Sequence, residues 1–112
     1  MIPEVVSNDI FRKTATDLEK LIEFRLEANV HTYAGYMNET DPTRLDSHDF
    51  SYSNGPYTYH DTYVGGEQFA GEEAIWFEGK ARYAMNYLGR VLGQQFSGEK
   101  VYECYFHGGL VK

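Results

Sequence analysis

The sequence is short of the residue types that would identify a special chemistry. Its 112 residues contain a single cysteine, Cys104, which excludes an internal disulfide and leaves no cysteine cluster for structural zinc. No apolar run reaches membrane-spanning length, and the N-terminus has no basic-then-apolar leader. The glycines match no phosphate-binding loop, because no Lys-Ser or Lys-Thr pair follows them. We therefore expect a cytoplasmic protein without a cofactor.

Basic residues are also scarce. Seventeen Asp and Glu residues oppose ten Lys and Arg residues, which gives a formal net charge of -7. This charge disfavours direct binding to nucleic acid, which depends on neutralising phosphates, and to anionic membrane surfaces. It favours solubility and permits a basic protein partner.

Aromatic residues, by contrast, are abundant. They make up 16% of the chain and include ten tyrosines, within a hydrophobic content of 42%. This composition supports a real core and argues against disorder. The length is that of one compact domain, so we expect residues 1–112 to form a single domain.

A helical pattern occupies the first third of the chain. Apolar residues recur at helical spacing after a capping-box pattern, Thr16-x-x-Glu19, which predicts a helix over residues 16–29. Residues 1–13 are expected to be an N-terminal arm or a short helix. Arg25 falls inside the apolar arc. Either its stem lies on the core while its head reaches solvent, or it faces an acid on the sheet such as Asp61.

Strand patterns fill the rest of the chain after a long polar connection, residues 35–47. The clearest hairpin surrounds Asn54-Gly55, and its predicted alignment places Tyr52 opposite Tyr57. The same alignment places Phe50 opposite Tyr59, His48 opposite Asp61, and Asp49 opposite His60. Alternation assigns one set to a single face, namely His48, Phe50, Tyr52, Tyr57, Tyr59, Asp61 and Tyr63. Asp49, His60 and Thr62 fall on the other face.

A second hairpin is predicted at Glu78-Gly79-Lys80, and residues 89–97 are expected to form a helical turn before the last strand. Together these elements predict an α+β domain. It has one N-terminal amphipathic helix packed on a curled antiparallel sheet of about five strands.

Several short motifs, in this order, resemble an uncharacterised bacterial domain of unknown function. They are Thr32-Tyr33-Ala34-Gly35, Ser47-His48-Asp49, Tyr59-x-Asp61-x-Tyr63-x-Gly65, Phe69-x-Gly71-Glu72-Glu73 and Met85-Asn86-Tyr87-x-Gly89. Val101-Tyr102-Glu103 and His107-Gly108-Gly109 resemble a second, shorter half of the same family. The family is often fused C-terminal to helix-turn-helix DNA-binding domains in regulators, and this chain would be a free-standing copy. The resemblance implies a regulatory context but no chemistry.

Asp61 is the most suggestive single residue, because it lies in a row of aromatic side chains on the face expected to be buried. Burial raises the pKa of a carboxyl group unless a nearby cation or hydrogen-bond donor stabilises its charge. Asp61 is therefore either a site residue or a structural one that pairs with His48, with Arg25 or with tyrosine hydroxyls. The candidate ligand-binding residues are Asp61, Tyr59, Tyr63, Tyr52, His48, Glu72 and Arg25.

The histidine and aspartate pairs do not predict a metal site. His48 with Asp61 and Asp49 with His60 lie on opposite faces of the sheet, so they cannot converge on one ion, and each pair alone is an incomplete site. Cys104 alternates with Tyr102 and Phe106, which favours a small core residue over a nucleophile.

These observations favour a non-enzymatic binding module with a tyrosine-rich pocket or surface for a small molecule or a protein, and a homodimer. One alternative is a small enzyme with Asp61 as its base and His48 or His60 as partner. Another is an acidic inhibitor of a basic partner.

Overall fold

A computed structural model describes residues 8–32, 35, 37–94 and 100–111. These residues form one helix followed by strands that run back and forth along the chain. The elements are α1 (Asn8–Val30), β1 (Glu39–Thr40), β2 (His48–Asn54), β3 (Tyr57–Gly65), β4 (Gln68–Phe77), β5 (Lys80–Gln94) and β6 (Lys100–Leu110). The α+β class predicted from the sequence is confirmed.

The helix α1 is longer than the sequence pattern indicates. It begins at Asn8, so the predicted start at Thr16 is wrong and the Thr16-x-x-Glu19 pattern lies inside the helix. Residues 8–15 contain neither glycine nor proline, and nothing in their sequence ends a helix there. Residues 1–7 of the expected arm lie outside the described residues.

The strands form one antiparallel sheet of six strands in the order β1-β2-β3-β4-β5-β6. The predicted number was about five. The additional strand, β1, has two residues and lies within the connection predicted over residues 35–47, where it pairs with Asp49 and Phe50. Each later strand pairs with the next through a short connection, as expected for a meander.

The β2–β3 hairpin has the predicted faces but not the predicted register. Asn54 pairs with Tyr57, Tyr52 with Tyr59, Phe50 with Asp61, and His48 with Tyr63, so every predicted pair is displaced by two residues. The turn residues are Gly55 and Pro56. Gly55 has a φ of 58°, which suits the first central position of a type II′ turn, and the proline ring fixes a negative φ at the second. A shift of two residues preserves the side-chain alternation, and the predicted face is therefore confirmed.

The β4–β5 hairpin is confirmed, with Glu78 and Gly79 as its turn. Both have positive φ, 50° and 79°, as a type I′ turn requires. The helical turn expected over residues 89–97 is wrong for residues 89–94, which continue β5; residues 95–97 lie outside the described part. A register irregularity between Val91 and Gly93 accompanies the end of that strand.

The core lies between α1 and the middle of the sheet. Leu21, Phe24 and Ala28 of the helix pack against Tyr59 and Ile75 of β3 and β4. Phe24 stacks on Tyr52 and Tyr57, with ring centroids 5.9 and 4.9 Å apart. In the described ranges, no helix combines the length and the apolar character needed to cross a membrane.

Candidate functional site

Asp61 lies in the middle of β3, on the face of the sheet that carries the helix. Its cross-strand neighbours are Phe50 on β2 and Glu73 on β4. Only 4% of Asp61 is exposed. The carboxylate is thus buried between an aromatic ring and a second acid.

Tyr87 on β5 supplies a hydrogen bond to this carboxylate by crossing the intervening strand. Its hydroxyl donates to Asp61 Oδ1 at 2.5 Å. The crossing depends on Gly71, which pairs with both Tyr63 and Tyr87. A Cβ atom at position 71 would lie 2.6 Å from the Tyr87 hydroxyl oxygen, which real contacts do not allow.

The surroundings change the acidity of both groups. Burial raises the pKa of Asp61 to about 6, and the charge of Glu73 adds to this rise while the hydrogen bond from Tyr87 opposes it. Burial, and then the adjacent Asp61 charge, raises the pKa of the Tyr87 hydroxyl, so Tyr87 remains a donor.

Four aromatic rings form a connected series beside this carboxylate. Ring centroids are 6.4 Å apart for Phe50 and Tyr63, 6.4 Å for Tyr63 and Phe69, and 6.2 Å for Phe69 and Tyr87. Tyr63, Phe69 and Tyr87 are half-buried, and Phe50 is buried. We call these four rings together with Asp61 the Asp61 site.

A second glycine shapes this site. The Phe69 ring lies over Gly89, where a Cβ atom would come within 2.3 Å of the ring. At both Gly71 and Gly89 a side chain is absent where a large aromatic side chain crosses the neighbouring strand. The two glycines thus determine where the rings lie.

Helix α1 supplies a cation to the second buried acid, Glu73. Arg25 pairs with Glu73, which is 2% exposed, through its Nε and Glu73 Oε1. Tyr59 donates to Glu73 Oε2 at 2.7 Å, and the Tyr83 hydroxyl lies 3.3 Å from Oε1. Arg25 therefore does face an acid on the sheet, but the acid is Glu73 and not Asp61.

A third buried acid, Asp49, lies on the opposite face of the sheet. It accepts hydrogen bonds from Ser47 and Thr43 at 2.5 Å, and His60 Nε2 lies 2.7 Å from its Oδ2. Burial would raise the pKa of Asp49, but these hydrogen bonds together hold it well below the usual range. This arrangement ties the loop before β2 to the sheet and is structural. Beside it is a shallow depression of about 410 Å³ lined by His60 and Trp76 among others.

The structure brings together only part of the predicted ligand-binding set. Tyr63 lies beside Asp61, and His48 stacks on Tyr63 with centroids 4.9 Å apart. Tyr59 belongs instead to the Glu73 cluster. Tyr52 donates to Glu27 at 3.0 Å and stacks on His31.

Glu72, also predicted, is exposed on the opposite face and takes no part in the Asp61 site. The residues near Asp61 that lie outside the predicted ligand-binding set are Phe50, Phe69, Glu73 and Tyr87. Tyr87 follows the alternation of β5, but only the register of two hairpins brings it to Asp61.

Neither histidine near this region hydrogen-bonds to Asp61. His60 contacts Asp49, and His48 Nδ1 lies 3.6 Å from Glu39 Oε1. In the part of the chain that the structure describes, no group of three or more His, Cys, Asp or Glu residues could hold a metal ion. The Asp61 site therefore contains one carboxylate, the hydroxyls of Tyr63 and Tyr87, and aromatic surface.

Comparison with known proteins gives one finding. No curated protein and no solved structure matches the chain. Residues 61–97, which cover the second half of β3 together with β4 and β5, match the family model of a domain of unknown function, DUF5680. The similarity inferred from short motifs to a domain of unknown function is thereby confirmed over residues 61–97.

Proposed function

We propose that this chain is a non-enzymatic, cytoplasmic binding module whose ligand is a small molecule held at the Asp61 site. One observation carries the proposal: among the described residues Asp61 has one hydrogen-bond donor, Tyr87, and three of the four rings beside this buried carboxylate keep part of their surface exposed. A buried acid that served only the fold would be expected to have several donors, as Asp49 and Glu73 do. The resemblance to domains found in regulators supports a role in sensing.

Binding is favoured over catalysis by what surrounds Asp61. The enzyme alternative gives Asp61 a histidine as partner, whereas its hydrogen-bond partner among the described residues is a tyrosine that remains protonated. The two histidines considered as partners contact other acids. Aromatic walls with a few placed polar groups are typical of ligand sites.

The test is to map fragment binding by backbone amide chemical shifts in labelled protein. A chemically mixed fragment library should perturb amides of β3, β4 and β5 around Asp61. Gly71→Ala should abolish these perturbations, because its Cβ would come within 2.5 Å of the Thr62 carbonyl oxygen and 2.6 Å of the Tyr87 hydroxyl oxygen and so displace the site. Gly109→Ala is the matched control, since a Cβ there meets nothing within 4 Å.

Three results would contradict this proposal. Fragments could cluster at the depression beside His60 and Trp76, or they could bind nowhere. They could also bind around Asp61 equally in both glycine variants. In the last case the rings do not form the site.

A second candidate function, recognition of a protein, is favoured by an apolar row on α1. Leu18, Ile22, Leu26 and Val30 are 41%, 50%, 58% and 58% exposed, and they recur every fourth residue. Such a row is a ridge that can pack between the ridges of another helix. We propose a second copy of this chain as the occupant, because an isologous contact covers both rows at once.

A further inference from the structure

Two buried carboxylates lie side by side on the helix-bearing face. Asp61 and Glu73 are register partners on adjacent strands, and they are 4% and 2% exposed. Two buried negative charges on adjacent residues need opposite charges or hydrogen bonds to stabilise them, because little water reaches them. How each is compensated differs.

The chain compensates Glu73 with a cation of its own. The guanidinium of Arg25 pairs with this carboxylate, and its carbon lies 5.8 Å from the centroid of the Tyr83 ring. A cation held between a carboxylate and an aromatic ring gains from both the opposite charge and the electron-rich ring face. The charge of Glu73 is therefore neutralised by a residue of the protein itself.

Asp61 also accepts from a tyrosine hydroxyl and has an aromatic neighbour, but it has no such cation among the described residues. Tyr87 donates to it, Phe50 is its partner on β2, and the rings of Tyr63 and Phe69 connect Phe50 to Tyr87. Among the residues that the structure describes, no Lys, Arg or His forms an ion pair with Asp61. The Asp61 site therefore repeats the Glu73 arrangement with the positive charge missing.

We propose that the Asp61 site takes an organic cation, a quaternary ammonium or protonated amine group, which Asp61 neutralises and the four rings surround. This inference rests on the proposed function and names its ligand class. Aromatic rings with a carboxylate recognise such groups through cation–π attraction and charge. The net charge of -7 also draws cations toward the protein.

An organic cation fits better than a metal ion. Calcium and magnesium require several oxygen ligands, whereas this site offers the carboxylate of Asp61 and tyrosine hydroxyls, one of them already donating to it. A quaternary ammonium group needs no hydrogen-bond acceptors, and its weak hydration lowers the cost of entering an aromatic site.

The experiment compares three probes by amide chemical shifts and calorimetry. They are tetramethylammonium, choline, and the neutral tert-butyl analogue of choline, which has the same shape without the charge. We expect both cations to perturb the amides around Asp61 and the neutral analogue to bind at least tenfold more weakly. This comparison uses the unmodified protein.

Two variants with the same change in net charge test whether choline binding depends on Asp61 itself or on the overall charge. Asp61→Asn should weaken choline binding at least tenfold. Glu72→Gln should leave it unchanged, because Glu72 is an exposed acid on the opposite face. Equal weakening in both variants would mean that choline responds to overall charge, which would overturn the inference.

The remaining outcomes separate this inference from the proposed function. Equal binding of choline and its neutral analogue at the site would overturn the cation and leave the binding module intact. The same conclusion follows if neutral fragments bind there and neither cation does. If nothing perturbs the amides around Asp61, both proposals fail.

Discussion

At the residue scale, the ionisation of Asp61 links binding to stability. The pKa of Asp61 rises from 3.8 to about 6 on folding, chiefly through burial. A raised pKa means that the folded state holds the proton more tightly. The stabilisation is therefore fully present below pH 3.8 and is lost as the pH rises through 6.

We predict that Asp61→Asn stabilises the protein above pH 7, because the amide imitates the neutral acid. The rise in pKa corresponds to an upper value of roughly 3 kcal/mol in the free energy of unfolding. Thermal unfolding of both proteins from pH 4 to pH 8 measures it. The two melting temperatures should approach each other at the acid end. A lower melting temperature for Asp61→Asn at pH 8 would show that Asp61 serves the fold.

If Asp61→Asn both raises stability and weakens choline binding, Asp61 is not a purely structural residue. Residues that bind ligands commonly reduce stability in the free protein, since their surroundings are arranged for the ligand. Asp49 provides the contrast. The low pKa of Asp49 means that its contribution is present at neutral pH and is lost as the pH falls through that low value.

At the scale of elements, the attachment of α1 to the sheet depends on Arg25 and Glu73. We predict that Arg25→Gln lowers the free energy of unfolding by roughly 2–3 kcal/mol, because it leaves Glu73 buried without a cation. The value lies at or below the lower end of the range for fully buried pairs, since the Arg25 side chain is 30% exposed. Urea denaturation measures the change.

Two further variants test this cause. Adding Glu73→Gln to Arg25→Gln should recover part of the loss, because the unpaired charge is removed. Arg82→Gln changes an exposed arginine on β5 and should have an effect within about 0.5 kcal/mol. If Arg25→Gln costs no more than Arg82→Gln, the ion pair does not hold the helix.

The sequence predicts faces of elements better than their pairing. Alternation placed Asp61 and Tyr63 on the buried side, and this survives a register error because an error of two residues preserves the face. The register depended on whether Asn54-Gly55 or Gly55-Pro56 formed the turn. Only the observed register places Phe50 beside Asp61.

Contacts across three strands could not be predicted from the sequence. The hydrogen bond from Tyr87 to Asp61 needs the register of β3, β4 and β5 together and the gap at Gly71. The pairing of Arg25 with an acid on the sheet was one of two alternatives from the sequence, and the other was a head that reaches solvent. The choice between Glu73 and Asp61 depends on where the helix lies, which helical periodicity alone does not give.

At the scale of the whole molecule, the apolar row on α1 and the net charge act in opposite directions. The row of Leu18, Ile22, Leu26 and Val30 favours burial against another molecule. Glu19 and Glu23 are exposed on the same helix, and each copy carries a formal charge of -7. Charge therefore opposes the association of two copies, and salt screens that repulsion.

We predict that the chain forms a homodimer through this row and that the dimer strengthens as salt is raised. Sedimentation velocity across concentration and salt measures the equilibrium. Ile22→Glu should give a monomer, because it places a charge in the middle of the row. Leu45→Glu is the control with the same change in charge, at a leucine that is 97% exposed and outside the helix.

The salt dependence decides which contact is made. A dimer that weakens with salt would be held by paired charges and not by the apolar row, which would contradict the prediction. A monomer at every salt concentration would remove the second copy as the occupant. The apolar row would then bind a different protein. Because acids lie beside the row, a basic partner would bind most tightly at low salt.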